Sequence, residues 1–429
     1  MLPEIRQTDY LYEVPKFELD RDDVLDFAEE LKGFHENFVD CFHRSESREN
    51  FFRYMSGQFS QLERKSIEPI AIAMEGGKIR AMQRFVSDAP WDDDRIERKY
   101  RSLINEDFGH PDGAIIFDES GFVKKGDDSI GVARQYCGTV GKVDNCQVGV
   151  FAAYTSAYGY ALIDKRLYIP EQWFAEEYSE RRKKCKLSFG VEFKTKPQLA
   201  VEMLQDIAKQ EQIPFRYVLA DSVYANSPEF VEAVEALIRV TYLLQVPEDT
   251  LCWVKNPCTI TKTYKYNGKV RTRKILADQT KDPVSVKTFA NGINNFFWYR
   301  RKVSEGTKGP IEYEFTKRRV VLSHKGLPGK TVWLLIRRTL GREPQYSYFI
   351  SNAPVSVRLP TLVWLSGLRW SVEQCFEETK TELGMDQYEV RKFPGWHHHI
   401  LTCMLGHYFL WHLKIRLGKK STSYYAVAA

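Results

Sequence analysis

Residues 113–122 read GAIIFDESGF, and residues 216–225 read RYVLADSVYA. In each, an uninterrupted apolar run (114–117 and 217–220) ends on an aspartate, Asp118 and Asp221. Such a run between polar flanks is the pattern of a strand buried on both faces. Both aspartates are therefore expected at the C-terminal ends of strands, where ligand sites form in α/β sheets. Taken singly, either reads more readily as a strand-ending residue that caps a turn; it is the pair within one α/β unit that brings the ligand reading level with it.

Working outward, the alternation of strand and helix continues. Residues 147–164 show β-type alternation broken at Thr155-Ser156-Ala157-Tyr158-Gly159, which suits a hairpin. A helical period near 197–212 precedes the second strand. A helix near 228–238 and a strand near 240–245 follow it. The fold class is α/β, a mixed sheet flanked by helices. Before residue 109 the texture is helical: Val24, Phe27, Leu31, Phe34 and Phe38 recur every three or four positions, as do Phe51, Phe52, Met55, Phe59 and Leu62, and a third helix is expected over 91–104. Residues 249–352 are rich in Thr, Val, Tyr, Lys and Arg, with Asn267-Gly268 as a hairpin turn. The expected layout is a helical domain over 1–108, the α/β core over 109–248, an inserted basic β-rich domain over 249–352, and the rest of the core with C-terminal helices over 353–429.

Composition narrows the function. The chain has 429 residues, 43% hydrophobic and 28% charged, which is globular rather than disordered. No run approaches 18 apolar residues, and the N-terminus has no apolar signal region, so a cytoplasmic protein without membrane spans is expected. The eight cysteines include no C-x-x-C pair and are read as reduced, mostly buried thiols. Net charge is +5, but residues 251–350 hold 21 Lys and Arg against 6 Asp and Glu. One basic segment on an otherwise acidic chain is a footprint for a polyanion.

A third carboxylate stands out in the helix expected over 361–383. Arg369, Glu373 and Lys380 are spaced at i, i+4 and i+11, within about 40° of one another around a helix. One carboxylate flanked by two cations suits a divalent metal and a phosphodiester held together, the metal on Glu373 and the phosphate oxygens on Arg369 and Lys380. The same spacing also describes a surface ion pair. Glu377, Glu378 and Glu382 are read as the solvated face.

Other features weigh less. Phe296, Phe297, Trp298 and Tyr299 precede Arg300 and Arg301, and aromatics beside cations can stack on an unpaired base. Trp298 is the first choice for that role and Trp370 the second. His397, His398 and His399 point in three directions from a helix and form no single metal site. Arg44, Arg48, Arg53, Arg64 and Lys65 either hold phosphates or solvate a helix.

The order strand-Asp, strand-Asp, helix-Glu resembles that of the DDE transposases, which have an RNase H-like core. The helix resembles the insertion-sequence signature Y-x2-R-x3-E-x6-K: Arg369, Glu373 and Lys380 match in register, Leu383-Gly384 follows, and Ser366 stands at the Tyr position. FDESGF, LADSVYA, RWSVEQCFEETKTELG, ERKS at 63–66 and GWHHHI at 395–400 resemble blocks of one branch of that family, so the resemblance spans about residues 45–415. It implies that Asp118, Asp221 and Glu373 bind two Mg²⁺ or Mn²⁺ ions. It further implies a bacterial enzyme that binds double-stranded DNA with terminal inverted repeats, cleaves there, and joins the 3′ ends to target DNA. A homodimer is expected, because two ends must be held together. The β-rich insertion resembles a sub-group that cuts through a hairpin at the transposon end. A transposase-derived DNA-binding protein without catalysis, and another RNase H-like nuclease, are the alternatives.

Overall fold

The computed structural model describes residues 21–427 except 189, 268, 279–281, 307 and 308. Gly268 of the expected Asn267-Gly268 turn thus lies outside the described residues. The chain opens with helices α1 (Arg21–Glu36), α2 (Ser45–Phe59), α3 (Ile67–Ala73), α4 (Ile79–Ser87) and α5 (Asp93–Phe108). Strands β1 (Ala114–Val123), β2 (Ala133–Cys137), β3 (Lys142–Thr155) and β4 (Tyr160–Tyr168) follow, then α6 (Ser179–Lys184) and α7 (Lys196–Gln210). Next come β5 (Tyr217–Ala220), α8 (Ser222–Ala225), α9 (Pro228–Ala236) and β6 (Thr241–Val246). The basic stretch holds β7 (Leu251–Trp253), β8 (Thr259–Tyr266), β9 (Lys269–Leu276), β10 (Val284–Ser285), α10 (Val286–Asn291), β11 (Tyr299–Gly306), β12 (Gly309–His324), β13 (Leu327–Thr339) and β14 (Tyr346–Ser351). Helices α11 (Leu359–Leu368), α12 (Trp370–Leu383) and α13 (Phe393–Val427) close it.

The chain clusters into two compact units. One is Arg216–Arg369; the other takes the described chain on either side, up to Phe215 and from Trp370.

In the flanking unit β3 is the central strand. It pairs antiparallel with β1 on one edge and with β4 and β2 on the other, so Cys146 lies between Val123 and Ala133. The β1–β3 ladder runs without interruption from Ala114↔Thr155 to Val123↔Cys146. The β3–β4 ladder carries a register shift at Ala152/Ala153, where β4 holds one extra residue. Cross-strand partners share a face, so Ile116, Asp118 and Ser120 look the same way as Ala153, Phe151 and Gly149. α12 and α13 cover that face: Phe376 and Trp396 both pack on the Phe151 ring. α7 lies behind the other face, where Lys196 pairs with Glu119 at 2.7 Å. α7 starts cleanly because Thr195 and Gln198 form a capping box.

The N-terminal helices pack onto this unit rather than standing apart. α5 buries Ile96, Tyr100, Ile104 and Phe108, one per turn. The Tyr100 hydroxyl donates to the carbonyls of Leu162 on β4 and Met404 on α13, at 2.6 and 3.1 Å. Beside it Arg101 reaches the fully buried Asp164 at 2.8 Å, and Lys165 reaches Glu97 at 2.6 Å.

In the other unit β5 runs parallel to β6. β6 then pairs with β14, β14 with β13 and β13 with β12, all antiparallel. β11 and β7 also pair with β12, and β10 with β7. The expected inserted module is therefore continuous with the β5–β6 sheet through Tyr348↔Val246. Its change of texture reflects solvated flanks, for the strand centres at 334–336 and 348–350 are buried. β8 and β9 form a separate two-stranded hairpin.

Candidate active site

Asp118 is not at the end of its strand. β1 continues for five residues beyond it, to Val123. Glu-Ser-Gly is poor strand sequence, but the ladder to β3 holds it, and Gly121 leaves room where a Cβ would stand 2.4 Å from Cys137 Sγ. Asp118 is half-buried, and its Oδ1 accepts the Glu119 backbone N–H at 2.8 Å.

α12 lies along β1 on the face that carries Asp118. Ser371 touches Thr155, the partner of Ala114, with hydroxyl oxygens 3.3 Å apart. Phe376 meets Phe151, the partner of Asp118. Lys380 donates to the Gly121 carbonyl at 3.4 Å and to Thr139 Oγ1 at 2.9 Å, its ammonium 5.5 Å from the Phe122 ring centre. The helix thus runs in the direction of β1. Glu373 falls between the Ser371 and Phe376 contacts, exposed on the helix flank.

Burial holds the Lys380 pKa below the ordinary lysine value. Its hydrogen bonds tether the second half of β1, a use that helical spacing alone does not reveal. Arg369 is the one residue between α11 and α12, and its backbone stays in the right-handed helical region at φ −57° and ψ −29°. Glu378, expected on the solvated face, is half-buried. It accepts from the Tyr160 hydroxyl at 2.8 Å and faces His407 Nε2 at 2.7 Å. That flank of α12 looks toward β4 and α13, which the helix's own sequence cannot show.

Asp221 sits where the sequence places it, directly after β5. It is the N-cap of α8, its Oδ1 accepting the Val223 N–H at 2.9 Å. Both strand aspartates therefore have one carboxylate oxygen oriented by a nearby backbone amide. This fixes the rotamer locally.

Several expectations outside the carboxylates are redirected. Trp298 is buried, with the Arg338 guanidinium 4.1 Å above its ring, so it does not present a stacking face. The exposed aromatics of that segment are Phe296, Phe297 and Tyr299. Trp370, the second choice, is exposed. Arg300 pairs with Glu312, and Arg301 donates to the Arg300 carbonyl at 2.8 Å.

His398 and His399 are buried in the packing of α13. His399 contacts the Tyr54 hydroxyl at 2.8 Å, and His398 stacks on Trp91 with ring centres 4.0 Å apart. Of the N-terminal cations, Arg48 and Arg53 donate to the carbonyls of Phe42 and Glu75 at 3.0 Å, Lys65 donates to the Gln58 carbonyl at 2.8 Å, and Arg64 pairs with Glu389. Seven of the eight cysteines are buried and all are free thiols; Cys258 is exposed. No described helix is long and apolar enough to cross a membrane.

The sequence matches the pattern of the DDE superfamily endonucleases over residues 37–310, more than half the chain. The chain belongs to that family. The matched span contains Asp118 and Asp221 and ends before α12. The chain is also 23% identical over 358 residues to the probable transposase for insertion sequence element IS701 of Microchaete diplosiphon, covering 83% of this chain and 80% of that protein. Among solved structures, the piggyBac transposase synaptic complex with hairpin DNA aligns over 92% of this chain and 75% of that chain, at 9% identity and a TM-score of 0.40.

Proposed function

We propose that this DDE superfamily member is a cut-and-paste DNA transposase. It binds terminal inverted repeats as a homodimer, cleaves the transposon ends and joins the freed 3′ ends to target DNA. In this reading β1–β4, β5, β6 and their helices form an RNase H-like core, with the N-terminal helices and the basic strands as DNA-binding additions. The observation that carries it is the docking of α12 on the Asp118 face of β1. The helix bearing Glu373 and the strand bearing Asp118 are one packed unit, in a chain that belongs to the DDE superfamily endonucleases.

Asp118, Asp221 and Glu373 are assigned as the metal ligands. Carboxylate oxygens are the donors that the hard cations Mg²⁺ and Mn²⁺ take, and the amide-oriented Asp118 and Asp221 suit that role. Two such ions, when bound, supply charge neutralisation at the attacking and leaving oxygens of an in-line phosphoryl displacement. The chain's own contribution is positional. The β1–β3 ladder fixes Asp118, the α8 N-terminus fixes Asp221, and the Ser371, Phe376 and Lys380 contacts fix the rotation of α12 and hence the flank from which Glu373 projects. Pre-set geometry of this kind lowers the barrier by removing reorganisation at the moment of reaction.

The test is a linear duplex carrying the DNA that flanks this gene, incubated with the full chain and Mg²⁺ or Mn²⁺. Discrete cuts at an inverted repeat are expected, absent with EDTA and absent with Asp221→Asn. Tight repeat binding with no cutting under any metal would overturn the catalytic reading.

A further inference from the structure

The β8–β9 hairpin has a composition that its own folding does not require. Residues 259–276 contain six cations (Lys262, Lys265, Lys269, Arg271, Arg273 and Lys274) and no acidic residue. Both strands are exposed along nearly their whole length, and the pair forms its own two-stranded sheet. None of the six cations is ion-paired among the described residues. The register places Lys262 directly opposite Arg273, and like charges in that position destabilise a ladder. A bare two-stranded hairpin is marginal in water even without such repulsion. An arrangement that disfavours the free hairpin makes sense when a polyanion neutralises it.

The register also sorts the side chains. Lys262, Tyr264 and Tyr266 share a face with Arg273, Arg271 and Lys269, their cross-strand partners. That face is therefore four cations around two exposed tyrosines, with Arg271 lying 5.3 Å over the Tyr266 ring. The strands are eight residues each, so the ribbon is about 27 Å long, its strands about 4.8 Å apart with side chains on both faces. The major groove of B-DNA, about 12 Å wide and 8.5 Å deep, admits a two-stranded ribbon as it stands; the minor groove, about 6 Å wide, takes one only when the duplex is deformed.

We propose that β8–β9 is a β-ribbon that lies in the major groove of duplex DNA. Its Lys262, Lys269, Arg271 and Arg273 face meets the phosphates and base edges, and Tyr264 and Tyr266 pack between them. This rests on the transposase reading, which supplies the duplex.

The experiment uses the full chain and the flanking-DNA duplex, with a variant carrying Lys262→Gln, Lys269→Gln, Arg271→Gln and Arg273→Gln. The slope of log binding constant against log salt should fall by about two to four, roughly one for each phosphate that is no longer neutralised. Dimethyl sulfate footprinting of the unaltered chain should show guanine N7 protection in the major groove, and the variant should lose a block of it. Unchanged slope and unchanged footprint in a variant that melts like the unaltered chain would overturn the ribbon and leave the transposase reading standing. Protection confined to adenine N3 would overturn it too, with no variant needed. If the unaltered chain binds no duplex, both readings fall. Loss of binding to polyglutamate with duplex binding intact would reassign the ribbon to an acidic protein partner.

Discussion

Phe376 of α12 meets Phe151 of β3 edge to face, ring centres 5.2 Å apart, and Phe151 is the residue directly opposite Asp118 in the β1–β3 ladder. The packing joins the elements that carry two of the three proposed ligands. Phe376→Ala should cost about 3 kcal/mol of unfolding free energy by removing a buried ring, read by urea titration. It should also reduce cleavage at least about tenfold, since small misplacements of reacting groups are expensive. Phe376→Leu should recover most of both. Equal cleavage by all three proteins would show that the packing does not set Glu373.

Asp118→Asn and Asp221→Asn retain the oxygen that accepts the Glu119 or Val223 N–H, so the local turn survives while the charge is removed. Each, and Glu373→Gln, should lower end cleavage roughly 10³-fold or more, as for groups acting as a unit. Binding to the inverted repeat should persist in a gel-shift assay. Wild-type cleavage by any one of them removes that residue from the site.

His399 is held neutral by burial, its pKa pushed down to about 3, and the His397 pKa is also lowered by burial. In the unfolded chain both would titrate near 6.5. Between these values the unfolded state binds a proton that the folded state refuses. The stability is therefore fully present above pH 6.5 and is lost as pH falls toward 3. His399 contributes a slope of up to about 1.4 kcal/mol per pH unit in that window, and His397 acts in the same direction. Urea unfolding between pH 6 and 4 should show this decline, and His399→Gln should flatten it by about one histidine's worth. A pH-independent unfolding free energy over that range would contradict the assignment.

The Arg101–Asp164 pair is buried on both sides. Asp164→Ala leaves a guanidinium without its carboxylate and should destabilise by about 3–5 kcal/mol. Converting both partners, Arg101→Met with Asp164→Leu, should restore much of that stability in a thermal melt. A double variant no better than the single would mean that the wider network with Glu97, Lys165 and Arg166 is the unit that matters.

Local pattern carries the second aspartate and the third helix. The run 217–220 is one short buried strand that stops where the polar residues begin, and Glu373 sits on the helix its period implies. Pattern alone makes β1 too short, because its second half is held by hydrogen bonds to residues 146–150, which no window on Glu119, Ser120 and Gly121 contains. The same limit applies to Trp298, whose burial depends on Arg338 and Tyr346, far along the chain, and to Glu378, whose partners are Tyr160 and His407. The short helix α3 escapes a periodic reading because seven residues carry little periodic signal, whereas the nine residues of α4 bury Met82, Phe85 and Val86 on one side, a pattern that is legible in the sequence. The basic composition marks the right segment, but exposure and register are needed to single out β8–β9 within it.

The position of Asp118 is set by a count of residues. Because side chains alternate along a strand, deleting one residue between Ala114 and Asp118 would turn the carboxylate to the α7 side and bring Phe117 round to α12. On the β4 edge of the same central strand an extra residue is already accommodated at the Ala152/Ala153 shift, while the β1 edge is unbroken. Insertions and deletions during divergence should therefore be tolerated in β4 and in the loops, whereas the length of β1 up to Asp118 behaves as a reading frame.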